Sequence, residues 1–171
     1  MRKTMRSAAA VLGAGLLAVG LSACSGGEVA VGETAKVDVH SGVDVYPFEI
    51  TVASIEPAPA EVQAGFEGDD PIYFADVSVR YVGDEVKETF PHQIYNSVYA
   101  KLDDGSFVGA TFTGLTECAG MPEDPQAARA ALEGGETVSF CAPVAGDGGH
   151  DVTGVYVGSS DIDDGGTVWK R

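Results

Sequence analysis

Ile72-Tyr73-Phe74-Ala75-Asp76-Val77-Ser78-Val79-Arg80-Tyr81-Val82 alternates side-chain character along its length. Tyr73, Ala75, Val77, Val79 and Tyr81 fall on one side of an extended chain and Phe74, Asp76, Ser78 and Arg80 on the other, because successive side chains of a strand point to opposite faces. One apolar and one mostly polar face is the pattern of an antiparallel strand whose sheet is covered on one side and wetted on the other. Such a strand needs a second layer to cover its apolar side.

The sequence on either side supplies that layer in short pieces. Upstream, Phe48 to Ile55 repeats the alternation with Phe48, Ile50 and Val52, less regularly with Ile55, and stops at Pro57 and Pro59. Before it, Val37 and Val39 suggest an edge strand. Downstream, Ser97 to Leu102 and Ser106 to Thr113 flank Asp103-Asp104-Gly105, a hairpin signal. Thr137 to Val144, Val152 to Val157 and Thr167 to Trp169 complete the set. Between Cys118 and Cys141 lies the one helical signal: Asp124 as cap, Pro125 at the first helical position, Gln126 to Leu132 as good formers, and Gly134 to end it in a left-handed conformation after two turns at most. About seven to eight short strands separated by Gly, Pro and Asp predict an all-β antiparallel β-sandwich with one short helix.

The N-terminal segment reads differently. Arg2, Lys3 and Arg6 precede an uncharged apolar run from Ala8 to Gly20, the order of a secretory signal. At roughly 13 residues the run falls short of the about 20 that cross a bilayer, and Gly13, Gly15 and Gly20 weaken it further. Leu21-Ser22-Ala23-Cys24 closes it and resembles the lipobox of bacterial lipoproteins. That resemblance implies cleavage before Cys24 and a diacylglyceryl group on its thiol; two acyl chains suffice for stable attachment where one does not. The expected organisation is a signal peptide over 1–23, a short polar tether over 24–33 and one domain over 34–171, held on the outer face of the cell membrane.

Charge narrows the partners. Removal of residues 1–23 takes away three of the 10 Lys and Arg and none of the 26 Asp and Glu, so seven cations face 26 acids, a net of −19. Nucleic acid is excluded as a partner, since phosphate binding needs a clustered basic face. The excess acid reads first as a soluble, self-repelling surface, with a cationic ligand as the sharper possibility.

Cys118 and Cys141 remain once Cys24 is assigned to lipid. In an exported chain an even pair is most simply a disulfide, and closing a loop of about two dozen residues contributes roughly 3 kcal/mol in the chain-entropy account. A metal pair or nucleophilic thiol is the alternative, but no Cys-x-x-Cys occurs and His40, His92 and His150 stand far apart. Catalytic signatures are missing as well: there is no Gly-x-Ser-x-Gly elbow, no His-Glu-x-x-His, no Walker loop and no Ser-x-x-Lys. Asp151-Val152-Thr153-Gly154 differs by one residue from the Asp-Thr-Gly of aspartic proteases and reads as a turn entering a strand. The acidic turn Asp161-Ile162-Asp163-Asp164-Gly165-Gly166 offers Asp161, Asp163 and Asp164 as weak calcium candidates, against the plainer reading of a solvated turn. It departs from the EF-hand loop at its fifth position and lacks the closing Glu.

Taken together, the lipobox, the Phe48 to Pro57 strand, the Ala75 to Gly83 strand, the Asp-Gly hairpin, the Leu132-x-Gly-Gly-Glu-Thr-Val-Ser-Phe-Cys141 segment and the closing Val152 to Trp169 stretch resemble the telokin-like immunoglobulin-fold domain of actinobacterial lipoproteins of unknown function. The resemblance runs from about Thr34 to Arg171 and implies an extracytoplasmic immunoglobulin-like sandwich with no assigned activity. Trp169 follows both cysteines, so the Cys-Trp-Cys order of antibody domains is absent. The expected function is a membrane-anchored, non-catalytic binding or interaction module without a cofactor, with Phe74 and His92 to Asn96 as contact candidates. The alternative is an envelope enzyme or calcium-dependent protein using scattered acids with His92 or His150 as base.

Overall fold

The computed structural model describes residues 27–66, 69–109 and 115–171. The signal segment and Cys24 lie outside these residues, as does the part of the Ser106 to Thr113 expectation beyond Gly109. Among the described residues nine strands form two sheets. In chain order they are β1 (Glu28–Ala30), β2 (Thr34–Ser41), β3 (Asp44–Pro57), β4 (Ile72–Tyr81), β5 (Val98–Leu102), β6 (Phe107–Gly109), β7 (Thr137–Ala145), β8 (Val152–Gly158) and β9 (Gly166–Lys170). One sheet has the order β2-β3-β4-β7 and the other β1-β9-β8-β5-β6. All pairings are antiparallel except β1 with β9. The architecture is an all-β, immunoglobulin-like sandwich.

The alternation in β4 does what its sequence requires. Ala75, Val77 and Val79 are buried at 1% exposure or less, whereas Asp76 and Arg80 are exposed. Phe48, Ile50 and Val52 of β3 join the same core, with Val155 and Val157 of β8 and Trp169 of β9 covering it from the opposite sheet. Each such side chain contributes roughly 1.5–3 kcal/mol by leaving water. The irregular place of Ile55 has a physical cause: the register of β3 against β4 slips between Val52 and Ser54, so one extra residue reverses the phase and returns Ile55 to the core.

Two expectations need correction. Residues 28–33, expected within the tether, belong to the domain. Glu28 forms ion pairs with Lys101 of β5 and Lys170 of β9, Gly32 N–H donates to Val52 O at 2.8 Å, and the Trp169 indole N–H donates to Glu33 O at 2.8 Å. Val29 and Val31 pack on the core. Burying these side chains outweighs the freedom of a Gly-flanked segment.

The helix, α2 (Pro125–Glu133), begins as expected, with the Asp124 carboxylate accepting from the N–H groups of Gln126 and Ala127 at 3.0 Å. It does not end on a left-handed Gly134, which has φ −80°. Gly135 takes that conformation at φ +73°, and bonds from Gly135 N–H to Leu132 O and from Glu136 N–H to Ala131 O complete a Schellman closure. A single helical turn, α1 (Ala60–Ala64), precedes β4. No helix among the described residues is long and apolar enough to cross a membrane.

The disulfide joins Cys118 to Cys141 on β7, with 5.1 Å between their Cα atoms. It ties the segment ahead of α2 to the sheet on which α2 rests.

The sandwich has two ends. At the hairpin end lie the β2–β3 turn, the end of β8 and the start of β9, linked by His40 N–H donating to Ser159 Oγ at 2.8 Å. At the far end lie the β5–β6 turn, the Asp147–His150 turn and the start of β4, linked by Tyr73 Oη donating to Asp151 Oδ1 at 2.8 Å.

Candidate functional site

A polar recess at the hairpin end is built around a segment with little regular structure, residues 85–97. Phe90 anchors it. Its ring packs edge-on against Tyr46 at 5.3 Å and Tyr81 at 4.9 Å, and tilted against Phe48 at 5.8 Å, so the segment is fixed to the core by an aromatic cluster. Tyr46 Oη is hydrogen-bonded to Thr89 at 2.5 Å, and Thr89 donates to Asp44. Beyond Phe90 the chain makes a 3-10 turn over Ile94–Asn96, with Ile94 buried beneath it and Tyr95 edge-on to Phe140.

Between this segment, the tip of β2, the first turns of α2 and residues Ser160 and Asp164 lies a cleft of about 620 Å³. Its walls carry His40, His92, Gln93, Asn96, Gln126 and Arg129. With Asp164 they offer imidazole, amide, guanidinium and carboxylate groups over the buried Phe90 and Ile94. A recess of this volume, with a few convergent polar groups on a rigid frame, has the character of a ligand site.

His92 is its most unusual group. The ring rests 5.1 Å from that of Phe90, and Nδ1 is fully buried without a hydrogen-bond partner. Glu133 Oε1 approaches it at 3.4 Å, within ion-pair reach but misaligned for a hydrogen bond, and that oxygen is already held by Arg129 Nε at 2.9 Å. Burial chiefly, and then the Arg129 guanidinium, holds the imidazole below its ordinary pKa of 6.5, with Glu133 opposing. His92 is therefore neutral at neutral pH and presents one donor and one acceptor.

A second constellation forms at the far end. Topology brings Asp103 and Asp104 of the β5–β6 turn against His150, with ligand atoms of all three within 4.8 Å of one another. His150 Nδ1 is 2.7 Å from Asp103 Oδ1 and Nε2 is 3.8 Å from Asp104 Oδ2. The Asp103 contact, reinforced by Asp104, raises the His150 pKa above 6.5. Asp104 is itself lowered, mainly by bonds from the Ser106 hydroxyl and N–H. The cluster is exposed.

The other candidates fall in separate places. Asp161 accepts from Asp163 N–H and caps a 3-10 turn; Asp164 borders the cleft. The only three-ligand group among the described residues is the one at His150, not one built from Asp161, Asp163 and Asp164. Asp151 opens β8, its Oδ1 taken by Tyr73 Oη and by Val152 N–H. Phe74 is half-buried on the outer face of its sheet, and His92 to Asn96 form a wall of the cleft. The sequence carries no signal for Arg129, Glu133, Asp103 or Asp104 as site residues, because only packing of α2 and pairing of β5 with β8 bring them to the histidines. The chain matches no family model, no curated protein and no solved structure.

Among the described residues no histidine side chain is hydrogen-bonded to a Ser, Thr or Cys side chain. The cleft can hold a polar ligand by hydrogen bonds from side chains fixed over the buried Phe90 and Ile94.

Proposed function

We propose that the protein is a lipid-anchored, extracytoplasmic binding module of the telokin-like immunoglobulin type, held through Cys24, and that its ligand occupies the cleft beside His92. The observation that carries this reading is the cleft itself: polar groups from the tip of β2, residues 92–97, α2 and the β8–β9 connection converge there over the Phe90 cluster. A peptide or small polar molecule suits these donors and acceptors. The large acid excess favours a cationic one, whose binding weakens as salt rises.

The test is titration of the ¹⁵N-labelled domain with envelope-derived peptides and glycan fragments. Amide shifts confined to residues 90–97, 126–129 and the β2 tip, with the fragment recovered unaltered, support the reading. Shifts elsewhere, or conversion of the fragment, count against it. A second reading, a divalent-cation-dependent protein, is favoured by the Asp103–Asp104–His150 group alone. It requires Ca²⁺ or Zn²⁺ to perturb the His150 ring resonances at micromolar concentration.

A further inference from the structure

Where the chain enters the domain decides which part of the protein meets the membrane. Because 28–33 are integrated into the sandwich, the chain joins the fold at Gly27, whose carbonyl accepts the Val168 N–H at 3.1 Å. β1 runs parallel to β9 with Glu28 opposite Val168 at the middle of β9, so Gly27 lies on the side of that midpoint nearer the hairpin end. Cys24 is three residues away, and three residues at full extension reach roughly 11 Å. A thiol acylated there keeps the domain close to the bilayer.

The hairpin end also concentrates the exposed apolar surface. Among the described residues four large hydrophobic side chains are exposed, and three of them, Val43 at 97%, Val45 at 48% and Val86 at 39%, belong to this end. Val43 occupies the tip of a two-residue β2–β3 turn that Gly42 permits with φ +65°. Val86 is held beside it because Lys87 Nζ pairs with Asp44 Oδ1 and Thr89 Oγ1 donates to Asp44 Oδ2, each at 2.6 Å. Asp44 and Lys87 thus neutralise one another next to the valines. An uncovered valine at the apex of a rigid turn gains by leaving water, and a surface lies within reach of the anchor.

We infer that the β2–β3 tip, with Val43 at its apex, is a lipid-contacting element that seats the hairpin end of the sandwich on the membrane. The proposal rests on acylation of Cys24 as read above. It places the mouth of the His92 cleft, which Ser41 and Gly42 border, beside the bilayer surface.

Full-length acylated protein carrying Val43→Trp, or Glu56→Trp at the exposed far end, is reconstituted into phosphatidylcholine vesicles containing brominated acyl chains, and acylation is verified by mass spectrometry. The native Trp169 is fully buried and gives a constant background. The expected result is at least twofold quenching of the Val43→Trp emission with none for Glu56→Trp. Equal quenching at both sites, or at neither, on acylated protein overturns the docking proposal while leaving the anchor intact. Protein that carries no acyl group overturns the anchor and the docking together. A Val43→Trp emission already blue-shifted without lipid, with a doubled sedimenting mass, assigns the patch to a second copy of the chain and overturns the lipid assignment.

Discussion

His92 and His150 carry the same side chain and are driven in opposite directions. Burial depresses the first, and contact with Asp103 raises the second. An NMR titration of the ring protons is expected to place the His150 midpoint above 6.5 and that of His92 below it. The consequences for stability follow from proton linkage. His150, raised in the fold, contributes stability that is fully present below the unfolded value of 6.5 and is lost as pH rises through its folded midpoint. His92, lowered in the fold, costs stability as pH falls from 6.5 through its folded midpoint, because the unfolded chain takes up that proton first. Coincident midpoints for the two rings would contradict both assignments. Trp169 makes a further residue-scale case. Trp169→Phe deletes the donor to Glu33 O and leaves a void in the core, so a loss of about 1–3 kcal/mol is expected from urea unfolding. An unchanged midpoint would show that residues 28–33 are not held by this bond.

Elements were legible where their periodicity was long. β4, β3 and β7 declare themselves through alternation, and α2 through the Asp124-Pro125 start. β1 was hidden because three residues, Glu28 to Ala30, cannot display a period of two; its pairing with β9 depends on a partner 140 residues away in register, Glu28 opposite Val168. The sequence leaves the helix end ambiguous by one residue because Gly134 and Gly135 are adjacent and only the hydrogen-bond pattern separates cap from left-handed residue. The Cys118–Cys141 bridge spans 23 residues and encloses α2. Replacing both cysteines by serine is expected to lower stability by roughly 3 kcal/mol in the chain-entropy account. The helical far-UV signal should diminish before the β signal during a denaturant titration. A double variant as stable as the parent would mean that packing of Leu132 alone fixes α2.

At the scale of the whole molecule, the sandwich was readable and the site only in part. His92 to Asn96 and His150 were candidates from the sequence, but the cleft needs α2 packed against residues 90–97, and the far-end cluster needs a turn from β5 beside a turn before β8. No local pattern encodes such meetings between distant segments. The two ends differ in character: the hairpin end carries the chain entry, the apolar tip and the cleft, and the far end carries the exposed Asp103–Asp104–His150 group. The functional account assigns the first end to the membrane through Cys24. The measurement that tests it most directly is mass spectrometry of the mature N-terminal peptide from the membrane fraction of the native host. The account predicts a peptide beginning at Cys24 with a diacylglyceryl adduct on its thiol, and loss of the protein from the membrane in Cys24→Ala. A mature chain that begins beyond Cys24, or retains it unmodified while free in the medium, would contradict it.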